Sequence, residues 1–282
     1  MSKTELARFK SVKANQTKYG IGRVIRKQVT AERLLTCITM ISLLLLWLIV
    51  TELKLFTDVV VPSPQKVLRS FWEIAHNGYK ENSLLRHLGD SMIRLLGSFL
   101  LVLITAIPLG LISGYNSKIR AIFDPLIEFY RPLPPLAYYT LLVLWMGIDN
   151  ASKIALLYLA GFAPVYIACM SGVKKIRPDY IRGAYTLGAS SRQVFFHVVF
   201  PACLPDIFVG LRTALGVAYT TLVAAEMVAA VTGIGWMVLD ASKFLKSEVI
   251  FVGIFIMGIT GVFLDQVIRR IESKVVPWKG QE

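Results

Sequence analysis

A few polar side chains stand inside long apolar stretches of this sequence, where a membrane would exclude them. Glu128 and Arg131 lie three apart beside a run of prolines. Glu226 follows Thr220 and Thr221 by nearly two helical turns. A charge at the centre of a bilayer costs about 3 kcal/mol even on insertion scales, so such groups pair with one another or face water. They are therefore read either as the wall of a polar path or as a buried brace between helices, with Glu226 and Arg131 as the pair of opposite sign. No enzyme chemistry is legible. There is no G-x-x-x-x-G-K-[ST] phosphate loop, and the turn Gly188-Ala189-Ser190-Ser191 lacks both the lysine and the preceding strand. Any ATP that drives the chain is bound by another subunit. His76, His87 and His197 have no cysteine or carboxylate at ligand spacing, so no metal is expected.

A second stretch, Lys174 to Pro205, is a polar, basic interruption between two apolar blocks. Pro178 suits a first helical turn, where its missing N–H costs nothing. Gly188 can stop that helix in a left-handed turn. Ser190 then reads as a new N-cap with Gln193 as its capping-box partner, and the following helix is expected to end against Pro201 and Pro205. Tyr180, Ile181, Ala184, Tyr185 and Leu187 give the short helix an apolar face that a cytoplasmic partner groove could bury.

The elements that carry these residues follow from composition. Apolar residues make up 55% of the 282, and mean hydropathy is +0.60, which excludes an ordinary soluble globule. The net charge of +13 points to basic loops beside a membrane rather than to nucleic acid. Cys37, Cys169 and Cys203 lie in or beside apolar runs and read as small buried hydrophobes. Residues 1–33 are a basic tail, expected to be cytoplasmic and to touch anionic lipid; no cleavage site follows, so the first span is expected to be retained. Six spans are expected: Leu34 to Val50, Ser91 to Ile112, Ile119 to Met146, Lys153 to Met170, Ile207 to Val231 and Val249 to Ile268. Between the first two, Lys66 to Ala75 reads as an amphipathic helix at the outer interface. Pro132, Pro134 and Pro135 must break the third span, a break that survives only where protein or a water-filled cavity satisfies the freed carbonyls. Twenty Lys and Arg fall on one side of this topology and eight on the other, which places both termini and the 174–205 loop in the cytoplasm. No inverted repeat of the secondary-transporter kind is visible.

The 174–205 stretch also resembles the cytoplasmic signature of bacterial ABC importer permeases: E-A-A, three residues, G, nine residues, I-x-L-P. Here Arg182-Gly183-Ala184 stands in place of E-A-A, then Gly188, then Val198-Val199-Phe200-Pro201. Arg182 replaces the glutamate, so no negative charge acts at that position. From about Val61 onward the chain is similar to the permeases of taurine, alkanesulfonate and nitrate importers. The residues that carry this are PSPQKV (62–67), DPLIEFYRPLPPLA (124–137), LVLWMGI (142–148), LVAAEMVAA (222–230) and GIGWMV (233–238). YRPLPPLA and the ending VPWKG (276–280) lean toward the taurine branch.

The resemblance implies an all-α type I importer permease fold in the bacterial inner membrane. It implies a second copy of the chain, two ATPase subunits that hold ATP and Mg, and a periplasmic binding protein. Pro178 to Leu187 would be the coupling helix, with Tyr180, Ile181, Arg182, Gly183, Ala184, Tyr185, Leu187 and Gly188 at the ATPase. The expected division is 1–33 tail, 34–90 first span with amphipathic segment, 91–270 permease core with coupling loop 173–201, and 271–282 tail. The expected cargo is taurine or a related small sulfonate, with nitrate or another alkanesulfonate as the alternative. A stand-alone channel or secondary transporter would need its own coupling-ion site and has no use for a capped docking helix. A non-transporting scaffold has no use for a triple-proline break.

Overall fold

A computed structural model describes residues 34–279, and apart from one isolated bridge between Tyr79 and Asn82 the ordered elements among them are helical. Two compact units divide at Gln65 and Lys66. In the first, α1 (Leu34–Glu52) has a mean hydropathy of 2.5 and no buried residue in its apolar window. Cys37 on it is exposed, against the expectation of burial, whereas Cys169 and Cys203 are buried. Beyond α1 the Trp47 indole N–H donates to the Pro62 carbonyl at 3.1 Å. The helix α2 (Pro64–Asn77) starts on a proline, as the first turn allows. It is two-faced: Val67, Ser70 and Ile74 are buried, while Leu68 and Trp72 are exposed.

The second unit continues with α3 (Leu84–Tyr115), α4 (Ser117–Tyr130), α5 (Pro135–Met146), α6 (Asn150–Lys175), α7 (Pro178–Thr186), α8 (Ser191–Val194), a π-turn (Phe195–Val199), α9 (Phe200–Ala229), α10 (Ile234–Lys243) and α11 (Ser247–Val275). Its core is α3 against α6 and α6 against α9, through Val102, Ala106, Val165, Cys169, Cys203 and Leu211. Small residues set the separation. A Cβ on Gly110 would stand 2.7 Å from Cys169 Cβ, and one on Gly210 would stand 2.5 Å from Ala168 Cβ. Close backbone approach replaces the hydrophobic driving force that lipid cannot supply.

Among the described residues five helical stretches are long and apolar enough to cross a membrane: Leu34–Glu52, Leu84–Tyr115, Asn150–Lys175, Ser191–Ala229 and Ser247–Val275. The expected third span is instead two shorter helices, α4 and α5, separated at residues 131–134. The cause is the one anticipated: Pro132, Pro134 and Pro135 lack the N–H that a continuing helix needs.

Two prolines do not behave as expected. Pro201 and Pro205 do not end a helix; they lie within the continuous helical stretch Ser191–Ala229. The π-turn accommodates the first, whereas Pro205 lies further on, inside α9. Phe200 N–H bonds the carbonyl of Phe195, five residues back, so the wider turn has already released the register that Pro201 would have broken.

Candidate functional site

The α7 segment is built by local rules. Pro178 opens it with φ already set. Gly188 closes it at φ +84, with its N–H bonded to the Tyr185 carbonyl at 2.9 Å and Ala189 N–H to the Ala184 carbonyl at 3.1 Å. The capping box is present: Gln193 N–H donates to Ser190 Oγ at 3.4 Å, and Ser190 N–H donates to Gln193 Oε1 at 2.8 Å. No residue of α7 is buried. Its expected apolar face divides in two. Ile181 and Ala184 pack partly against the core, whereas Tyr180 and Leu187 point away from it, 61% and 90% exposed. Arg182 and Gly183 are also exposed. Tyr185 bonds Tyr115 at the end of α3 (3.2 Å) and Ser191 Oγ (3.3 Å). Lys175 pairs with Asp206 at 2.5 Å, tying the end of α6 to the start of α9. The short helix is thus held to the end of α3 by Tyr185 and against the core by Ile181 and Ala184, beside the α6–α9 bridge, and presents bare apolar side chains outward.

At the opposite ends of the same long helices lies the second site. Glu226, 1% exposed, is in the last turn of α9 rather than deep within it, because the helix stops at Ala229. Its partner is Arg94, not Arg131: Arg94 Nη1 donates to Glu226 Oε1 at 2.7 Å. Ser91 Oγ donates to the same oxygen at 2.7 Å, and Gly235 N–H donates to Oε2 at 2.9 Å. The carboxylate therefore sits on the N-terminus of α10, where free N–H groups and the helix dipole favour an anion. Arg94 also gives Nη1 to the Thr232 carbonyl (2.9 Å), Nη2 to Thr232 Oγ1 (3.2 Å) and Nε to Asn150 Oδ1 (2.7 Å). His87 Nδ1 accepts from Gly233 N–H at 3.1 Å, and Ser91 Oγ from Ile234 N–H at 3.1 Å. One buried network joins α3, α6, α9 and α10.

Gly233 and Gly235 make room for it. A Cβ on Gly233, whose φ is +124, would lie 2.4 Å from Glu226 Cδ; one on Gly235 would lie 2.8 Å from the Val223 carbonyl. The other candidates are not brought into this network. Glu128 and Arg131 are exposed, and Arg131 caps the C-terminus of α4. Thr220 and Thr221 donate to the carbonyl of Val217 at 2.9 and 2.8 Å, within their own helix. Sequence reasoning missed Arg94, Ser91, Asn150 and Thr232. The available signal was Arg94 itself, a further charge within an expected span and at helical spacing from Ser91.

With both sites described, the similarity to known proteins falls into place. A family model described as "Binding-protein-dependent transport system inner membrane component" matches residues 106–277. The chain belongs to this family. It is a permease subunit of an ABC importer, a transport component rather than a catalyst. It is 41% identical over 244 residues to the taurine transport system permease protein TauC of Escherichia coli K12, covering 86% of this chain and 89% of that one. It is 32% identical to the SsuC permease of Bacillus subtilis, named for aliphatic sulfonate transport, over 83% of each chain. To the nitrate import permease protein NrtB of Synechocystis it is 31% identical, over 77% of this chain and 81% of that one. The matched region 106–277 contains α7, the π-turn, Glu226 and the glycines around it, and leaves Ser91 and Arg94 outside.

Proposed function

We propose that the chain forms, with a second copy of itself, the translocation path of an ATP-driven importer for taurine or a related small sulfonate. In this reading α4 and α5 together make one broken crossing, which with the five long helices gives six and puts both termini on the cytoplasmic side. The basic tail 1–33, which lies outside the described residues, rests on that side against anionic lipid. The units of function are the first span with its amphipathic segment (34–90), the core (91–270) and the two tails. A periplasmic binding protein delivers cargo, and two ATPase subunits hold ATP and Mg.

The single observation that carries this reading is α7, a capped helix with no buried residue, whose Leu187 and Tyr180 face outward. Exposed apolar side chains on a basic loop are better matched to a protein groove than to water. Because α7 is tied to α3, α6 and α9, closure of a bound ATPase pair would move those helices as rigid bodies. Taurine is placed first among cargoes because the identity to the taurine permease, 41%, exceeds the 32% and 31% to the sulfonate and nitrate permeases. The test is a mild co-purification from native membranes, followed by uptake in proteoliposomes. Recovery of an ATPase in equal numbers, with ATP-driven taurine uptake supported by a binding protein, is the expected result. A homo-oligomer that passes cargo without an ATPase would overturn it.

A further inference from the structure

At the end of the helices opposite α7 a cavity of about 950 Å³ opens beside the Arg94–Glu226 network, lined in part by Asp90, Arg94, Tyr139, Asn150, Lys153 and Thr232. Two of these groups are unexplained by the brace. Lys153 is only 2% exposed, yet among the described residues no carboxylate lies within ion-pair distance of its ammonium, and Asp149 and Glu226 act on it only from further away. It donates only to the backbone carbonyls of Ile148 and Asp149. Two carbonyl dipoles do not neutralise a buried charge, whose desolvation is ordinarily repaid by a counter-ion. Tyr139 is 1% exposed, and its hydroxyl makes no hydrogen bond. Ser152 Oγ, which donates to the Asp149 carbonyl at 3.0 Å, stands beside it but completes no hydrogen bond with it. A buried hydroxyl without a partner costs about 1–3 kcal/mol and is seldom kept for packing alone. Asp90, half-buried, lines the same cavity without an ion-pair partner.

We infer that this cavity is a cargo site for a small zwitterionic acid. Its oxyanion is received by Lys153 and the Tyr139 hydroxyl, and its ammonium by Asp90. The inference rests on the importer reading above and gives that importer's path its chemistry. Lys153 carries the uncompensated positive charge, Tyr139 supplies a neutral donor, and Arg94 is already neutralised by Glu226. Lys153 and Tyr139 are covered in this structure. The long stem of Lys153 lets its ammonium exchange the two carbonyls for an anion by rotation alone.

The test uses the full chain with its ATPase subunits in lipid nanodiscs, titrated calorimetrically with taurine, then with ethanesulfonate and inorganic sulfate. Saturable taurine binding is expected, weakened about tenfold or more in Lys153→Met and in Tyr139→Phe, since each removes a hydrogen bond to a charged group. Asp90→Asn should weaken taurine and leave ethanesulfonate and sulfate unchanged. Tyr139→Phe removes one oxygen that bonds nothing in the protein, so it keeps the fold and decides the matter should Lys153→Met fail to assemble. Absence of taurine binding in the wild type, or equal binding in Tyr139→Phe and wild type, would overturn the site. ATP-driven uptake by the same variants in proteoliposomes, with the binding protein present, separates the two proposals. Binding that needs Lys153 and Tyr139, without any uptake, leaves the site and removes the importer reading. Uptake with binding indifferent to both residues does the reverse.

Discussion

The two ends of the helix bundle solve opposite problems. At one end the Glu226 network is closed: both carboxylate oxygens and the guanidinium of Arg94 are bonded, and Glu226 and Arg94 are 1% and 3% exposed. At the other end α7 is open: Pro178 starts it and Gly188 stops it, yet nothing in it is buried and Leu187 is 90% exposed. At the closed end Glu226 meets Ser91 and Arg94 from 135 and 132 residues away, whereas the turns that bound the open segment join partners three to five apart. One end is finished within the chain, and the other leaves apolar side chains that this chain does not cover. Mutations at the closed end should therefore cost stability, and mutations at the open end should cost coupling while the fold survives.

The largest effect tests the closed end. Glu226→Ala leaves the Arg94 charge buried and unpaired and should destabilise by about 3–5 kcal/mol, read as a fall in thermal unfolding temperature of the purified chain. The exchange Glu226→Arg with Arg94→Glu should not rescue it, because the cation would then face the N-terminus of α10, where Gly235 N–H needs an acceptor. Rescue by that exchange would show a simple ion pair and remove the capping role. Next comes Gly233→Ala. Its Cβ would meet Glu226 Cδ at 2.4 Å and its φ of +124 is hostile to any side chain. A loss on the order of 1–3 kcal/mol is expected, and an unchanged unfolding temperature would mean the loop does not fit as described.

The open end is predicted to behave differently. A Cβ on Gly188 would meet no atom within 4 Å, so the main cost of Gly188→Val is that of the left-handed backbone, on the order of 1 kcal/mol or more. It should fold and reach the membrane, yet lose most ATP-driven uptake; normal uptake would detach α7 from coupling. The smallest effect concerns Asp240, whose carboxylate accepts from Tyr79 (2.9 Å) and Lys80 (2.9 Å) outside the long helices. Burial alone would raise its pKa, but the hydrogen bonds from Lys80 and Tyr79 prevail and hold it below the usual value. Its folded pKa being depressed, its stabilisation is full above about pH 4, the unfolded value, and lost as pH falls through the folded one. Amide protection in residues 79–82 and α10, corrected for the intrinsic pH dependence of exchange, should therefore fall on acidification in the wild type and stay flat in Asp240→Asn.

What the sequence made legible follows the same division. The cap residues Pro178, Gly188, Ser190 and Gln193 act on their immediate neighbours, so their spacing alone defines α7 to within a residue or two. The break at 131–134 was equally readable, since proline acts on its own turn. The partner of Glu226 was not, because residues 91 and 94 meet it only through tertiary packing, and charge sign alone favoured Arg131 equally. Pro201 and Pro205 misled for a related reason. Whether proline ends a helix depends on the register of the preceding turn, and nothing in the residue types around Phe195–Val199 announces a π-turn.

That π-turn has one more consequence. It holds a single surplus residue between the outward-facing segment and the long helix α9. Removing one residue from Phe195–Val199 would return the stretch to ordinary register and swing everything before it by about 100° around the helix axis. Leu187 and Tyr180 would then be aimed along a different bearing while every one of their own caps stayed intact. The bearing of this exposed apolar surface is thus set by a count of residues as well as by the contacts of Tyr185, Ile181 and Ala184, so a one-residue insertion or deletion there is a larger change than the loss of a side chain.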